Sequence, residues 1–225
     1  MVLYNIHTHF HSISQINNYN IRYIVNTYPL EFENLKRQQP TAKVFSCGIH
    51  PWYSQNTDAQ FYRLKELLSE GNNIVAVGEI GLDKLKGPGM DTQIDVFRRQ
   101  AELAEEMHKP VIIHCVKAWQ EIVMLKKEIN PEQVWIVHGF RGGVELVKQL
   151  IDHDFRFSIG KSFNAEAVKI IPSGSLYLET DDADMSIVII YNEIAGLLGL
   201  SVAELVVLIN NNVRNTFKLT ENSIR

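Results

Sequence analysis

The chain has 225 residues, 45% of them hydrophobic and 21% charged, a balance that supplies a sizeable core and excludes a disordered chain. No apolar run reaches the roughly 18 to 20 residues that span a bilayer. The opening MVLYNIHTHFH has no basic segment followed by an apolar one, so no membrane association and a cytoplasmic location are expected. A net charge of −4 argues against a broad basic groove for long nucleic acid, but leaves room for a local patch or a short substrate.

In chain order, eight short β-branched or aromatic runs read as strands: Val2 to His9, Ile21 to Thr27, Lys43 to Ile49, Ile74 to Ile80, Val111 to Cys115, Gln133 to His138, Phe155 to Ile159 and Ser175 to Thr180. Helical patterning fills the intervals at Leu30 to Gln38, Ala59 to Ser69, Thr92 to Met107, Ala118 to Glu128, Val144 to Ile151 and Glu166 to Ile170. Ile187 to Leu198 and Ser201 to Ile209 follow the last strand, and Ser201 with Glu204 has the form of a capping box. Ser12 to Asn20 carries three Asn and little helical periodicity, so the first crossover reads as a loop. Strands alternating with helices imply parallel pairing. Eight of them predict an α/β fold, a slightly reduced TIM-like (β/α) barrel with C-terminal helices, formed by residues 1–225 as one domain. A doubly wound open sheet is the alternative. Cys47 and Cys115 lie in apolar runs and read as buried free thiols.

Polar residues that carry chemistry fall where these runs end, the face on which barrel active sites are built. His7 and His9 are two apart on a strand and point to one side. His50 meets the turn Pro51-Trp52, where a substrate contact is the alternative to a metal ligand. Glu79 stands in an apolar strand between glycines, and a buried carboxylate needs a partner. Asp83 reads as a residue beyond that strand. His114 and His138 each end an apolar run, and Asp181 closes the eighth with Glu179 at the same parity. Each histidine alone is as readily a satisfied core residue. The set of four histidines, His7, His9, His114 and His138, with Glu79 and Asp181 suits divalent ions such as zinc. Six ligands exceed what one catalytic zinc takes from protein, which favours two ions bridged by Glu79. Cys115 has the opposite parity to His114 and points away. His108 and His153 read as surface residues, and His11 as a possible pocket residue.

These residues resemble the TatD family of metal-dependent deoxyribonucleases, among the amidohydrolase-like barrels. His7-Thr8-His9 is similar to its first motif, Gly48-Ile49-His50-Pro51 to its second and Val77-Gly78-Glu79-Ile80-Gly81-Leu82-Asp83 to its third. The stretch from Gln93 to His114, then His138-Gly139-Phe140 and Glu179-Thr180-Asp181, completes the resemblance in order over almost the whole chain. It implies two divalent ions (zinc, magnesium or manganese), one held by His7, His9 and Asp181, the other by His114 and His138, with Glu79 between. Departures accompany these matches. Asn5 stands where the family has an acid, Cys115-Val116-Lys117 where it has an Arg, and Asp182-Ala183-Asp184 where it has a Ser-Pro turn.

The implied chemistry is hydrolysis by a metal-activated water, with Asp181 accepting its proton, His50 donating to the leaving oxygen, and Lys117 and Arg141 pairing with phosphate. DNA or a small phosphate ester is the expected substrate, and no obligate protein partner is expected. A small-molecule amidohydrolase acting on an amide, lactone or phosphate ester is the alternative. A purely structural metal protein fits less well, because structural sites close with fewer, mostly Cys and His ligands.

Overall fold

A computed structural model of the chain describes residues 1–9, 20–40, 42–71 and 73–219. The interval from Ser12 to Tyr19, read from sequence as a loop, and His11 lie outside the described residues. Eight parallel strands form one sheet in sequential order: β1 Val2–Thr8, β2 Asn20–Thr27, β3 Val44–Cys47, β4 Ile74–Asp83, β5 Val111–Val116, β6 Trp135–Val137, β7 Phe155–Ile159 and β8 Leu176–Leu178. The helices are α1 Phe32–Gln38, α2 Asp58–Ser69, α3 Met90–Glu106, α4 Trp119–Ile129, α5 Val144–Ile151, α6 Ala165–Lys169, α7 Ile187–Leu198 and α8 Val202–Phe217. Between β8 and β1 the sheet closes through a parallel bridge from Thr8 to Asp181, with Asp181 N–H donating to the His7 carbonyl at 3.0 Å and His9 N–H to the Asp181 carbonyl at 3.2 Å. Side chains reinforce this seam. Asn5 donates to Thr180 Oγ1 at 2.7 Å and accepts from the Thr180 amide at 3.2 Å, which gives its side-chain amide a structural task. Lower down, the Tyr191 hydroxyl bridges the amide and carbonyl of Tyr4. The eight-stranded barrel is the fold expected from the sequence.

Two elements run further than their patterning suggests. β4 continues to Asp83 because Gly81, Leu82 and Asp83 pair with His114, Cys115 and Val116, so Asp83 is a strand residue and not a turn beyond the strand. α8 passes the run of three asparagines Asn210, Asn211 and Asn212 to reach Phe217 because Val213 and Phe217 extend the buried face of Leu205 and Ile209, while Asn212 donates to the carbonyls of Ser173 and Leu176. The Ser201–Glu204 capping box forms at its start. No single described helix is long and apolar enough to cross a membrane. Cys47 and Cys115 are free thiols, and burial pushes the Cys115 thiol up to about 12.

Candidate metal centre

The strand-end residues converge on Glu79. Its Oε1 lies 2.7 Å from both His114 Nδ1 and His138 Nε2, and 3.2 Å from His50 Nε2. Its Oε2 faces the other way, 3.5 Å from His7 Nε2 and 3.9 Å from His9 Nε2. Asp181 Oδ1 completes that side at 3.5 Å from Nε2 of both His7 and His9. One carboxylate thus stands between two groups of imidazoles. His138 belongs to both groups, since its ring centroid is 4.4 Å from that of His7.

Local backbone features aim these side chains. Pairing of β1 with β2 shifts register between Asn5 and Thr8, and pairing of β4 with β5 shifts between Val77 and Ile80, so His7 and Glu79 both sit where a ladder is irregular. Such irregularities re-aim a side chain beside a site. Close approach of β4 to β5 demands glycine. A Cβ on Gly81 would overlap the His114 carbonyl oxygen, and one on Gly78 would lie 2.7 Å from Ile112 Cβ. Asp181 takes a left-handed backbone conformation, φ 54°, which turns its carboxylate toward His7 and His9 while its main chain still bonds β1. His50 precedes a short 3₁₀ turn, Pro51–Tyr53, and its Nδ1 accepts the Trp52 amide at 3.2 Å. An amide only donates, so in neutral His50 the proton sits on Nε2, the nitrogen that faces Glu79.

Sequence reading missed several residues that hold this arrangement. Asn26, at the end of β2, accepts the Glu79 amide at 2.8 Å. Two buried glutamines of α3 grip the loops above the barrel. Gln100 accepts from Ile49 N–H at 2.6 Å and donates to the Ile49 carbonyl at 3.1 Å. Gln93 accepts from Asp83 N–H at 2.8 Å and donates to the carbonyls of Asp83, Lys86 and Pro88. The available signal was polar residues on the apolar face of α3, seven apart in sequence. Asp83 and Glu179 also reach the histidines. Asp83 Oδ2 accepts Trp52 Nε1–H at 2.7 Å and lies 3.3 Å from His114 Nε2. Glu179 Oε1 accepts Gly139 N–H at 2.7 Å and lies 3.2 Å from His138 Nδ1.

Electrostatically the centre is a tight set of opposite charges. Burial works against an imidazolium at His7, yet Asp181 and Glu79 outweigh it and hold its pKa at about 9. His138 is likewise raised against its burial by Glu79 and Glu179. Burial also opposes charge on Glu79 and Asp181, and the surrounding histidines overcome it, keeping both carboxyls well below the usual range. His50 moves the other way, lowered chiefly by burial. For Asp83, hydrogen bonds from Trp52 and the Leu85 amide offset burial and lower its pKa.

The donor set fits divalent cations. Three overlapping groups bring ligand atoms within 4.8 Å of one another: His7, His138 and Asp181; His7, His9 and Glu79; and His50, Glu79 and His114. His7 is fully buried; its Nδ1 has no partner, and its Nε2 faces the carboxylates of Glu79 and Asp181, each at 3.5 Å, at the edge of hydrogen-bonding distance. A buried imidazole facing two carboxylates is a position that a cation can occupy in place of the proton. Nitrogen and carboxylate oxygen donors in this mixture suit zinc and similar ions.

Lys117 and Arg141, the expected phosphate contacts, are exposed on the loops after β5 and β6 and make no side-chain hydrogen bond or ion pair among the described residues. Lys86 stands at the rim, its ammonium 3.4 Å over the Trp52 ring. Tyr28 and Tyr53 meet edge to face at 5.6 Å, and Tyr53 lies 6.0 Å from His50, so one wall of the mouth is aromatic. His108 is exposed and His153 half-buried, both away from the centre.

Known proteins resemble this chain in sequence and in fold. An uncharacterized metal-dependent hydrolase of Bacillus subtilis, YabD, is 37% identical over 147 residues, covering 60% of this chain and 57% of that protein. The Escherichia coli relative YjjV, an uncharacterized metal-dependent hydrolase, is 28% identical over 170 residues, 69% of this chain and 66% of its own length. The alignments thus span between 57% and 66% of these relatives. In structure, the YjjV TatD homolog superimposes with a TM-score of 0.78 at 21% identity, covering 89% of this chain and 88% of the other. A TatD family hydrolase from Entamoeba histolytica gives 0.78 at 17% identity over 97% and 98% of the two chains. At these identities the superpositions speak for the fold. The sequence as a whole matches the family described as TatD related DNase over residues 13–218, and the chain belongs to that family.

Proposed function

We propose that the chain is a metal-dependent hydrolase that cleaves phosphate esters, in the manner of a deoxyribonuclease acting on short or single-stranded DNA. The observation that carries the reading is Glu79, whose two oxygens face in different directions, Oε1 toward His114 and His138 and Oε2 toward His7 and His9. His7, His9 and Asp181 would hold one divalent ion and His114 and His138 a second, with Glu79 as the carboxylate shared between them and zinc, magnesium or manganese as candidates. Such ions supply an acidified water and neutralise charge that develops on the ester oxygens.

The protein's own groups do the rest. Asp181, only partly buried at the edge of the cluster, accepts the proton released from water. His50, whose Nδ1 accepts the Trp52 amide, presents its Nε2–H to the centre and donates a hydrogen bond to the leaving oxygen. Lys117 and Arg141, with no side-chain partner among the described residues, pair with phosphate on either side of the mouth. Two free thiols accord with a reducing, cytoplasmic setting. One barrel, residues 1–225, carries the activity as a single domain with no obligate protein partner and no membrane association. A second reading, hydrolysis of a small amide, lactone or phosphate ester, is favoured by exposed Asp182 and Asp184 directly after Asp181, which repel a polyanion.

The test measures hydrolysis of a single-stranded oligonucleotide and of p-nitrophenyl phosphate esters by wild type and Glu79→Ala, with metal content on the same samples. About two bound ions and a nucleotide release that falls at least ~100-fold in the variant are expected, the range of losing a group that acts in the transition state. Two ions with ester but no nucleotide release would favour the small-molecule reading. Unchanged metal content and activity in the variant would sink both.

A further inference from the structure

His114 and His138 each have a second carboxylate behind them, and they present opposite nitrogens to Glu79. His114 turns Nδ1 inward, 2.7 Å from Glu79 Oε1, with Nε2 3.3 Å from Asp83 Oδ2. His138 turns Nε2 inward, 2.7 Å from Glu79 Oε1, with Nδ1 3.2 Å from Glu179 Oε1. An ionised carboxylate only accepts, so each outer acid keeps a proton on the nitrogen facing it and leaves the inner one free to bind an ion. The outer acids are themselves held. Asp83 is 4% exposed and takes hydrogen bonds from Trp52 Nε1 and from the Leu85 amide, both at 2.7 Å. Glu179 is fully buried and is fixed by the Gly139 amide, whose left-handed residue, φ 54°, lies directly after His138.

We propose that Asp83 and Glu179 are positioning residues that orient His114 through Nδ1 and His138 through Nε2 toward the bound ions, and that Trp52 belongs to the same device because it anchors Asp83. The proposal rests on the metal reading above and adds which residues preset the ligands. It gives the turn after β3 a purpose. Trp52 links that turn, through Asp83, to a histidine of β5, with Lys86 stacked on its outer face. Freed from its outer acid, either histidine can turn an N–H toward the ion and cease to be a ligand.

The experiment measures zinc affinity by competition with a chelating dye for wild type, Asp83→Ala, Asp83→Asn, Glu179→Gln and Trp52→Phe. Long-range proton–nitrogen spectra of the histidine rings are recorded on apo and zinc-loaded forms. Asp83→Ala should weaken zinc binding about 10- to 100-fold, the usual cost of losing an outer-shell partner, and should change the His114 ring pattern. Asp83→Asn and Glu179→Gln retain an acceptor and should keep the ring pattern with a smaller loss; Trp52→Phe should lose several-fold. Zinc affinity within about twofold of wild type and unchanged ring spectra in Asp83→Ala would overturn the proposal. Should that variant fail to fold, the same null result in Asp83→Asn and Trp52→Phe together would overturn it. A wild type that binds no zinc would sink the metal reading instead, and the apo ring spectra would then decide the positioning role by themselves.

Discussion

At the scale of single residues, the centre depends on side chains that are absent as much as on those present. Gly81 lets β4 lie against β5 so closely that any Cβ meets the His114 carbonyl. Overpacking of a rigid site costs about 1–3 kcal/mol or more, and here the obstacle is backbone that carries a ligand. Gly81→Ala should therefore lower stability by at least ~2 kcal/mol in urea unfolding and reduce metal content along with it. A normal midpoint with full metal loading would show that the strands can part without cost. Asp181 illustrates the opposite economy. The same residue closes the barrel through its main chain and faces two histidines through its side chain.

Among elements, α3 has a role beyond covering the sheet. Its apolar face packs on the barrel, while Gln93 and Gln100 reach past that face to tie down the loops that follow β4 and β3. Gln100→Ala leaves the Ile49 amide and carbonyl buried without partners, at about 1–3 kcal/mol for each unsatisfied group. His50 is the next residue along the chain. The expected outcome is a loss of about 2 kcal/mol in chemical denaturation with a fall in kcat larger than the change in KM. An intact kcat would remove His50 positioning from the role of this helix.

On the scale of the whole molecule, the end of the barrel away from the metal centre contains a pH-dependent feature. Lys126 of α4 is 8% exposed, donates to the Asp154 carbonyl and lies 4.4 Å over the Phe155 ring. Burial lowers its pKa from 10.5 to about 8. The folded state therefore sheds this proton before the unfolded state does. Below about pH 8 the full cost of burying the charge is present. Between about 8 and 10.5 the unfolded chain holds more protons, so stability rises with pH. Lys126→Met removes a cost on the order of 3 kcal/mol while forfeiting one hydrogen bond. A net gain of about 1–2 kcal/mol at pH 7 is expected, with the alkaline rise abolished in denaturation curves taken from pH 7 to 10.5. A variant less stable than the parent at pH 7 would contradict this.

The sequence by itself determined the barrel and the identity of its central side chains, because both are written in local terms. Alternating strand and helix periods specify parallel crossovers, and a histidine or carboxylate ending an apolar strand must face the strand's carboxyl end. Boundaries were less legible. β4 and α8 run on because of partners remote in sequence, Val116 for Asp83 and Leu176 for Asn212. Tertiary structure alone decided which nitrogen each histidine turns inward, that Glu179 and Asp83 stand behind His138 and His114, and that Gln93, Gln100 and Asn26 brace the loops and strands around them. Those facts are distances between residues 10 to 53 positions apart, set where closure of the sheet brings strand ends and loops together, and no local pattern encodes them.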